Sequence, residues 1–231
     1  MGGRNTLTKN IKSIIKDFSI DSWGSKQIIP HYNIYPSSYT PVLISKNKTR
    51  VVKDMKWGLI PSWASNSSIG NQMINARSES ILDKPSFQNL VNKNRCIIFS
   101  SGYFEWKTLN KKKQPFYITK STNKILPLAG LWTTWESKKS EITHSYTIIT
   151  GKAQSNLERI HHRMPIILKR KNIEKWINSE KYSFPTVQKF LKPHSSDLIF
   201  HNVSALVNSA RNNSKKCILK IDNPYTINLF K

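Results

Sequence analysis

The chain has few cysteines, few acidic residues and no long apolar stretch, and each shortage excludes a class of protein. Only two cysteines, Cys96 and Cys217, occur among 231 residues, which excludes a disulfide-stapled scaffold and predicts a reducing compartment. The longest apolar stretches, such as Cys96–Phe99, are far shorter than the roughly 20 residues of a membrane span. Because residues 1–10 hold no apolar segment of signal-peptide length, we expect an intracellular protein of the cytoplasm or nucleoid, or of the nucleus in a eukaryote.

Positive charge is what the chain has in excess. It contains 37 Lys and Arg against 13 Asp and Glu, a formal net charge of +24, and its 38% of hydrophobic residues can still form a core. Clustered cations release counterions from nucleic acid, so the charge favours a nucleic-acid partner over an anionic membrane surface or a mere compositional bias. Only 8 of the cations are Arg. Because Arg forms bidentate phosphate contacts, the arginines are the better indicators of a binding site.

Metal-ligand spacings are missing from the sequence. The six histidines and two cysteines form no CxxC, HxxxH or HExxH pattern. Cys96 lies in an apolar segment that is typical of a core strand. The sequence therefore predicts a protein without a metal or another cofactor.

The apolar patterns predict one α+β domain over residues 1–231, with a curved, mostly antiparallel β-sheet and flanking helices. Helices are predicted near residues 7–18, capped by Thr6, and near 154–160, 173–178 and 186–191. Strands are predicted at 51–53, 57–60, 96–100, 103–107, 116–119, 126–132 and 146–150, with further extended pieces at 198–203 and 217–221. The proline-containing stretch 28–43 is predicted as an extended loop, and the lysine-rich stretch 108–114 as a solvated hairpin tip.

The segment GYFEWK, which begins at Gly102, carries the first catalytic candidate. Strand alternation puts Tyr103, Glu105 and Lys107 on one face. It puts Phe104 and Trp106 on the other. A carboxylate among aromatic residues is predicted to be partly desolvated, which suits acid–base chemistry. The alternative is a surface Glu105 paired with Lys107 or Arg95.

Other polar segments have ordinary explanations when they are taken one at a time. His161 and His162 follow a predicted helix, where cations favour the helix dipole. Asn75 and Arg77 lie in a polar stretch that is typical of a turn. Tryptophans such as Trp63 are core residues more often than platforms for stacked bases.

Taken together and in order, these segments resemble the SOS response-associated peptidase-like (SRAP) family, whose members form covalent crosslinks with abasic sites in single-stranded DNA. The resemblance runs nearly end to end. It is carried by Gly3-Arg4, Asn33 and Pro36, WGLIPSW from Trp57, NARSE from Asn75, GYFEWK from Gly102, TIIT ending at Thr150, HHRMP from His161, and VSALVN from Val203.

The resemblance implies roles for individual residues. Asn75 would position the chain start and the opened sugar, Glu105 would act as acid and base, and His161 would assist proton transfer. Contacts with the DNA are implied for Arg4, Trp63, Arg77, Trp106, Thr150, Arg163 and Met164. The implied partner is single-stranded DNA that contains abasic sites. The resemblance implies a monomer that does not associate with a membrane. His162 departs from the family motif, which has an acidic residue at this position.

Gly2 is the main departure from the family, whose members carry a catalytic Cys there after the initiator Met is removed. A neutral N-terminal amine attacks the abasic-site aldehyde to give a Schiff base, and the family's thiol then closes a thiazolidine ring. Without a thiol, the resemblance implies that the reaction stops at the imine or proceeds to strand cleavage by β-elimination. The alternatives are a non-catalytic binding module, an engineered substitution, a retained Met1, self-cleavage by a peptidase activity, and myristoylation at Gly2 within the pattern M-G-x-x-x-[ST].

Overall fold

The computed structural model describes residues 3–27, 29–109 and 111–222, where it folds as a mixture of α-helix and β-strand, so the predicted α+β class is confirmed. Gly2 and Met1 lie outside these described residues. The strands are β1 Asn5–Leu7, β2 Ser22–Trp23, β3 His31–Ile34, β4 Tyr39–Lys46, β5 Thr49–Trp57, β6 Asn75–Arg77, β7 Arg95–Ser100, β8 Gly102–Leu109, β9 Lys112–Lys120, β10 Leu126–Glu136, β11 Ile142–Lys152, β12 Arg163–Pro165 and β13 Leu198–Asn202. The α-helices are α1 Ile11–Phe18, α2 Pro85–Gln88, α3 Leu90–Lys93, α4 Ile173–Ile177 and α5 Phe184–Val187.

The larger sheet curves until it closes on itself. Its strands run in the order β12-β11-β10-β7-β4-β5-β2, and β11 also pairs in parallel with β5, so that β11, β10, β7, β4 and β5 form a closed ring. The short strand β6 pairs in parallel with β11 next to β12. The ring is filled by apolar side chains of the alternating strands, which is the packing expected of a small barrel.

A second sheet holds the beginning of the chain. Its order is β13-β9-β8-β1-β3, so β1 is an interior strand with β8 on one side and β3 on the other. Asn5 lies opposite Tyr103, and the Phe104 amide donates to the Arg4 carbonyl at 3.1 Å. This topology places the first described residues beside the strand that carries Glu105.

Alternation along β8 separates two cores, as the sequence predicts. Tyr103 packs into the main core, whereas Phe104 belongs to a smaller cluster with Tyr117, Val203 and Val207. Trp106 is partly buried against that smaller cluster. The cleft described below therefore lies beside a strand with apolar packing on both faces.

Two predicted elements are wrong, the first because of long-range strand pairing and the second because of local backbone chemistry. The helix predicted at 7–18 begins at Ile11, because Asn5–Leu7 joins the sheet and Asn10, not Thr6, caps the helix. The buried Thr6 hydroxyl instead bonds the Gly102 carbonyl and the Tyr117 hydroxyl. The strand predicted at 57–60 ends at Trp57, because Gly58 turns the chain with a φ of 113°.

The remaining predicted elements mostly match. The strands at 96–100, 103–107, 116–119, 126–132 and 146–150 and the helix at 173–178 are present, although the structure extends or trims their ends. The stretch 28–43 contains β3 and the start of β4, and residues 215–217 form a 3-10 helix where an extended piece was predicted. No helix in the described ranges is both long and apolar enough to cross a membrane.

Arg95 is a buried structural cation, and its removal should destabilise the protein. Its side chain donates to the carbonyls of Val91 at 2.7 Å, of Tyr182 at 2.6 Å and of Trp176, and burial lowers its pKa to about 10. Arg95→Met leaves three acceptors without a donor, so we expect the free energy of unfolding to fall by about 3 to 5 kcal/mol. Denaturant unfolding checks this, with the exposed Arg211→Met as the matched control; equal midpoints for the two variants would contradict it.

Candidate active site

A cleft of about 630 Å³ opens where the beginning of β1 meets the middle of β8. Four residues predicted from the sequence line it: Arg4, Glu105, Trp106 and His161. The other lining residues are Gly3, Tyr35, Pro36, Lys113, Asn208 and Ala210. Residues that are distant in sequence thus meet in one concave surface, as expected of a binding or catalytic site.

Glu105 is a buried carboxyl in the wall of this cleft. It is 2% exposed and lies opposite Phe116 in the β8–β9 pair. Burial raises the pKa of the neighbouring Tyr103 hydroxyl well above its usual value, and the charge of Glu105 raises it further. The alternative of a surface carboxylate paired with Arg95 is wrong, because Glu105 is buried and the Arg95 guanidinium binds backbone carbonyls.

Arg4 and Trp106 are joined through Asn208. The Arg4 Nη2 donates to the Asn208 carbonyl at 3.1 Å, and the Trp106 Nε1 donates to the Asn208 Oδ1 at 2.7 Å. The Arg4 guanidinium also lies over the Tyr35 ring, 5.6 Å from its centroid. Its Nη1 is buried without a hydrogen-bond partner among the described residues, so it retains a donor for an incoming anion.

Asn33 holds the segment that carries Asn208. Its Nδ2 lies 3.2 Å from the Val207 carbonyl oxygen and 2.9 Å from those of Ser209 and Asn212. Asn33 itself is fully buried in β3. Through these contacts Asn33, in the proline-containing stretch 28–43, holds in place a part of the cleft that comes from almost 180 positions later in the chain.

His161 lines the cleft and lies two residues before the first residue of β12. Its Nδ1 lies 3.0 Å from the Arg163 backbone nitrogen, whose N–H it can accept, and 3.3 Å from the Arg163 carbonyl oxygen. Burial is the main reason that its pKa is lowered, and the charges of His162 and Arg163 add to the effect. The His162 ring stacks on the His161 ring, with 4.3 Å between the two ring centroids. Within the described part of the chain, no three His, Cys, Asp or Glu side chains are grouped to hold a metal ion.

Arg163 is occupied by a carboxylate. Its guanidinium binds Glu79 through two bonds of 2.7 and 2.9 Å, and it also donates to the Thr150 carbonyl at 2.7 Å. Hydrogen bonding to Arg163 lowers the pKa of Glu79. Thr150 and Met164 are 2% and 1% exposed, so neither side chain is available for the direct DNA contact that the resemblance implies. Thr150 instead supports Arg163, which donates to its carbonyl and hydroxyl oxygens.

Asn75 and Arg77 lie on strand β6, although their residue types alone predict a turn. Asn75 is opposite Ile148 and Arg77 is opposite Thr150 in the parallel β6–β11 pair. Arg77 is exposed, and the Asn75 Oδ1 is buried without a partner in the described ranges. An acceptor in this state remains open to a bound group.

The two tryptophans of WGLIPSW have opposite environments. Trp57 is 1% exposed, stacks on Tyr146 and donates to the Ile74 carbonyl. Trp63 is 63% exposed and follows the turn that begins at Gly58. Of the two, Trp63 is therefore the one available for stacking.

Some cleft residues have no role in the sequence-based account, among them Tyr35, Lys113 and Asn208. Asn208 ends VSALVN, a segment that carries the family resemblance, so its motif is the signal. Lys113 belongs to the hairpin stretch predicted as a solvated turn, yet it lines the cleft. Tyr35 has no sequence signal beyond its place beside Pro36.

Comparisons with known proteins agree on one family. The model described as "SOS response associated peptidase (SRAP)" matches residues 1–210. The abasic site processing protein YoqW of Bacillus subtilis (strain 168) is 37% identical over 221 residues, which cover 94% of this chain and 99% of that protein. The abasic site processing protein HMCES of Gallus gallus is 34% identical over 225 residues, covering 84% and 67% respectively.

Solved structures share the architecture. A protein from Bacteroides thetaiotaomicron matches with a TM-score of 0.85 and 26% identity, covering 95% of this chain and 100% of that one. A protein from Bordetella bronchiseptica matches with a TM-score of 0.75 at 22% identity, covering 88% and 100%, which shows the fold alone.

Proposed function

Because the chain belongs to the SRAP family, we propose that it processes abasic sites in single-stranded DNA by forming a Schiff base between its N-terminal amine and the sugar aldehyde. Its relatives YoqW and HMCES are named abasic site processing proteins. The observation that carries the proposal is the meeting of Gly3, Glu105 and His161 in one cleft.

The position of Gly3 supports an amine nucleophile. A Cβ on Gly3 would lie 3.1 Å from the Pro36 ring, so this residue packs closely into the cleft wall. In the sequence, residue 2 is bonded directly to Gly3, and its amine is the nucleophile of this proposal. With Met1 removed, Gly2 would supply that amine.

The chemistry requires an amine, a proton donor and a leaving water. An N-terminal amine with a pKa of about 7.7 to 8.0 is partly neutral near pH 7 to 8, and its lone pair attacks the aldehyde carbon C1′. In this proposal Glu105 protonates the carbinolamine oxygen, which leaves as water and gives the imine. His161, whose pKa is lowered mainly by burial, assists proton transfer at the sugar.

Gly2 determines how far the reaction proceeds. No thiol is present to add to the imine carbon, so no thiazolidine forms. Water can attack the same carbon and restore the amine and the aldehyde. Alternatively, loss of a C2′ proton allows the C3′–O bond to break with release of the phosphate, which is abasic-site lyase chemistry.

Contacts to the DNA follow from which cations remain available. The Arg4 Nη1 has no hydrogen-bond partner in the described part of the chain, Arg77 is exposed, and Lys113 lines the cleft. Arg163 is paired with Glu79, so it would contact a phosphate only in exchange for that carboxylate. We therefore assign the first phosphate contacts to Arg4, Arg77 and Lys113.

Intact-protein mass spectrometry tests the proposal. Protein lacking Met1 is incubated with an abasic single-stranded oligonucleotide, with and without borohydride. We expect an adduct only with borohydride, because hydride reduces the C=N bond to a stable amine. No adduct in either condition would contradict the reaction, and preferential binding to abasic over intact DNA would then favour the second candidate, a binding module that lacks the thiol.

Trp63 gives a prediction about affinity. Trp63→Ala is expected to weaken binding to single-stranded DNA by about 1 to 3 kcal/mol, the contribution of one stacked base. Fluorescence anisotropy measures the Kd, and Trp63→Phe should retain most of the affinity. Ile142→Ala removes an equally exposed apolar side chain, 66% exposed on β11, and is the matched control. An equal loss in the two alanine variants would contradict a stacking role.

A further inference from the structure

A second and larger concavity lies outside the candidate active site. Its volume is about 700 Å³, and five lysines with one histidine line it: Lys169, Lys171, Lys175, Lys189, Lys192 and His194. We call it the lysine cleft. All five lysines are exposed: Lys169 and Lys171 precede α4, Lys175 lies in α4, and Lys189 and Lys192 follow α5.

The charge of the lysine cleft is not neutralised within the described chain. No acidic residue lines it, and none of its lysines is in an ion pair among the described residues. The nearby acids are already used, because Glu174 binds Arg50 at 2.9 Å and Asp17 binds Arg170 at 3.4 Å. Five like charges around one concavity favour an anionic ligand.

The interior of the lysine cleft is partly apolar. Ile167, Phe190 and Pro193 contribute to its lining between the lysines. An apolar interior with a cationic rim suits a polymer that carries flat apolar groups on a charged backbone. Single-stranded DNA has this combination of bases and phosphates.

The lysine cleft and the candidate active site both adjoin the end of β11 and the residues that follow it. A Cβ on Gly151 would lie only 2.3 Å from the Pro193 side chain, so Pro193 packs directly on the β11 backbone. The Ser195 hydroxyl lies 3.4 Å from the Gln154 carbonyl oxygen on the same stretch. Next to Gly151, Lys152 is exposed and lies opposite Arg163, which follows the cleft residues His161 and His162.

We propose that the lysine cleft binds the phosphodiester backbone of the same DNA strand, several nucleotides away from the abasic site. The strand leaves the active-site cleft past His161, crosses the Arg163–Lys152 surface and reaches the lysines beyond Pro193. This inference rests on the proposed function. Lysines suit the role, because contacts to a flexible flanking strand need charge and no fixed bidentate geometry.

The lysine cleft adjoins the candidate active site along β11, and this position is the reason to choose DNA over an acidic peptide as its ligand. A peptide-docking surface has no need to adjoin the abasic-site cleft, whereas a flanking strand must pass over adjacent protein. The acidic peptide is therefore an outcome of the test.

The test compares two lengths of abasic single-stranded DNA, one with about 3 and one with about 12 nucleotides on each side of the lesion. The Lys171→Glu/Lys189→Glu variant changes two cleft lysines. The Lys138→Glu/Lys139→Glu control changes two exposed lysines at the β10–β11 hairpin. That hairpin is at the opposite end of the 11-residue strand β11 from Gly151, about 30 Å away at about 3.3 Å per residue.

We expect the native protein and the control to bind the long oligonucleotide several-fold more tightly than the short one. The cleft variant should lose this gain and bind the short oligonucleotide normally. Its salt slope on the long oligonucleotide, the decrease of log K with log salt, should fall by about 1.4, since each single-strand phosphate contact contributes about 0.7.

Borohydride trapping on the short oligonucleotide separates this inference from the proposed function. Normal trapping together with an unchanged length gain in the cleft variant would overturn the lysine cleft alone. Absent trapping with a length gain that depends on Lys171 and Lys189 would overturn the Schiff-base reaction and leave the cleft in place. Binding of a polyglutamate peptide that the cleft variant abolishes, without any length gain on DNA, would assign the cleft to a protein partner and overturn the proposal.

Discussion

Replacing Glu105 with Gln is expected to slow Schiff-base formation on abasic single-stranded DNA by about 10²- to 10⁴-fold, the usual contribution of one general acid or base. The amide keeps the size and much of the hydrogen bonding of the carboxyl, but it cannot deliver the proton that turns the carbinolamine oxygen into water. Because Glu105 is 2% exposed, bulk water is poorly placed to substitute for it. The single-turnover rate of borohydride trapping measures the effect.

Two controls separate this chemical loss from a structural one. Binding to an oligonucleotide that carries a reduced abasic site, which has no aldehyde, should be unchanged in Glu105→Gln. The same substitution at Glu136, exposed at the end of β10, should leave the trapping rate unchanged. A normal trapping rate in Glu105→Gln would exclude Glu105 as the proton donor.

Introducing a thiol at residue 2 is expected to convert a transient adduct into a permanent one. In Gly2→Cys, with Met1 removed, the thiolate adds to the imine carbon and the nitrogen takes up a proton, closing a five-membered thiazolidine ring. The adduct should then survive denaturation without borohydride. Strand cleavage should fall, because the imine needed for β-elimination is consumed.

Gly2→Ala is the matched control for this gain of function. It keeps the amine and adds a carbon without a thiol, so its adduct should still require borohydride. Mass spectrometry of both variants reports removal of Met1 and formation of the adduct in one measurement. If Gly2→Cys also gave an adduct only with borohydride, the cleft would not guide a thiol at residue 2 to the imine carbon.

Much of the fold could be predicted from the sequence, because apolar runs such as Cys96–Phe99 have few places to go except a core strand. The helix predicted at 7–18 begins too early because a long-range contact overrode the local pattern. Leu7 has helical spacing with Ile11 and Ile14, but pairing of β1 with β8 takes residues 5–7 into a sheet. Only the fold makes that pairing available.

The candidate site was predictable in its residue types and less so in its contacts. Motif order placed Glu105 and His161 together, and the cleft contains both. Nothing in the sequence shows that Arg163 binds Glu79, a partner 84 residues away, or that Thr150 and Met164 are buried. Such pairings are decided by the β6–β11–β12 register, which brings three separate segments side by side.

The interior position of β1 makes the beginning of the described chain part of the sheet. Chain ends commonly fray, since few contacts hold them. Here the Arg4 carbonyl accepts the Phe104 amide, the Thr6 carbonyl accepts the Ser101 amide, and β3 covers the other edge. Residues 5–7 therefore cannot leave the sheet without opening β1 from both of its neighbours. The beginning of the described chain thus takes its position beside the strand that carries Glu105 when the sheet assembles.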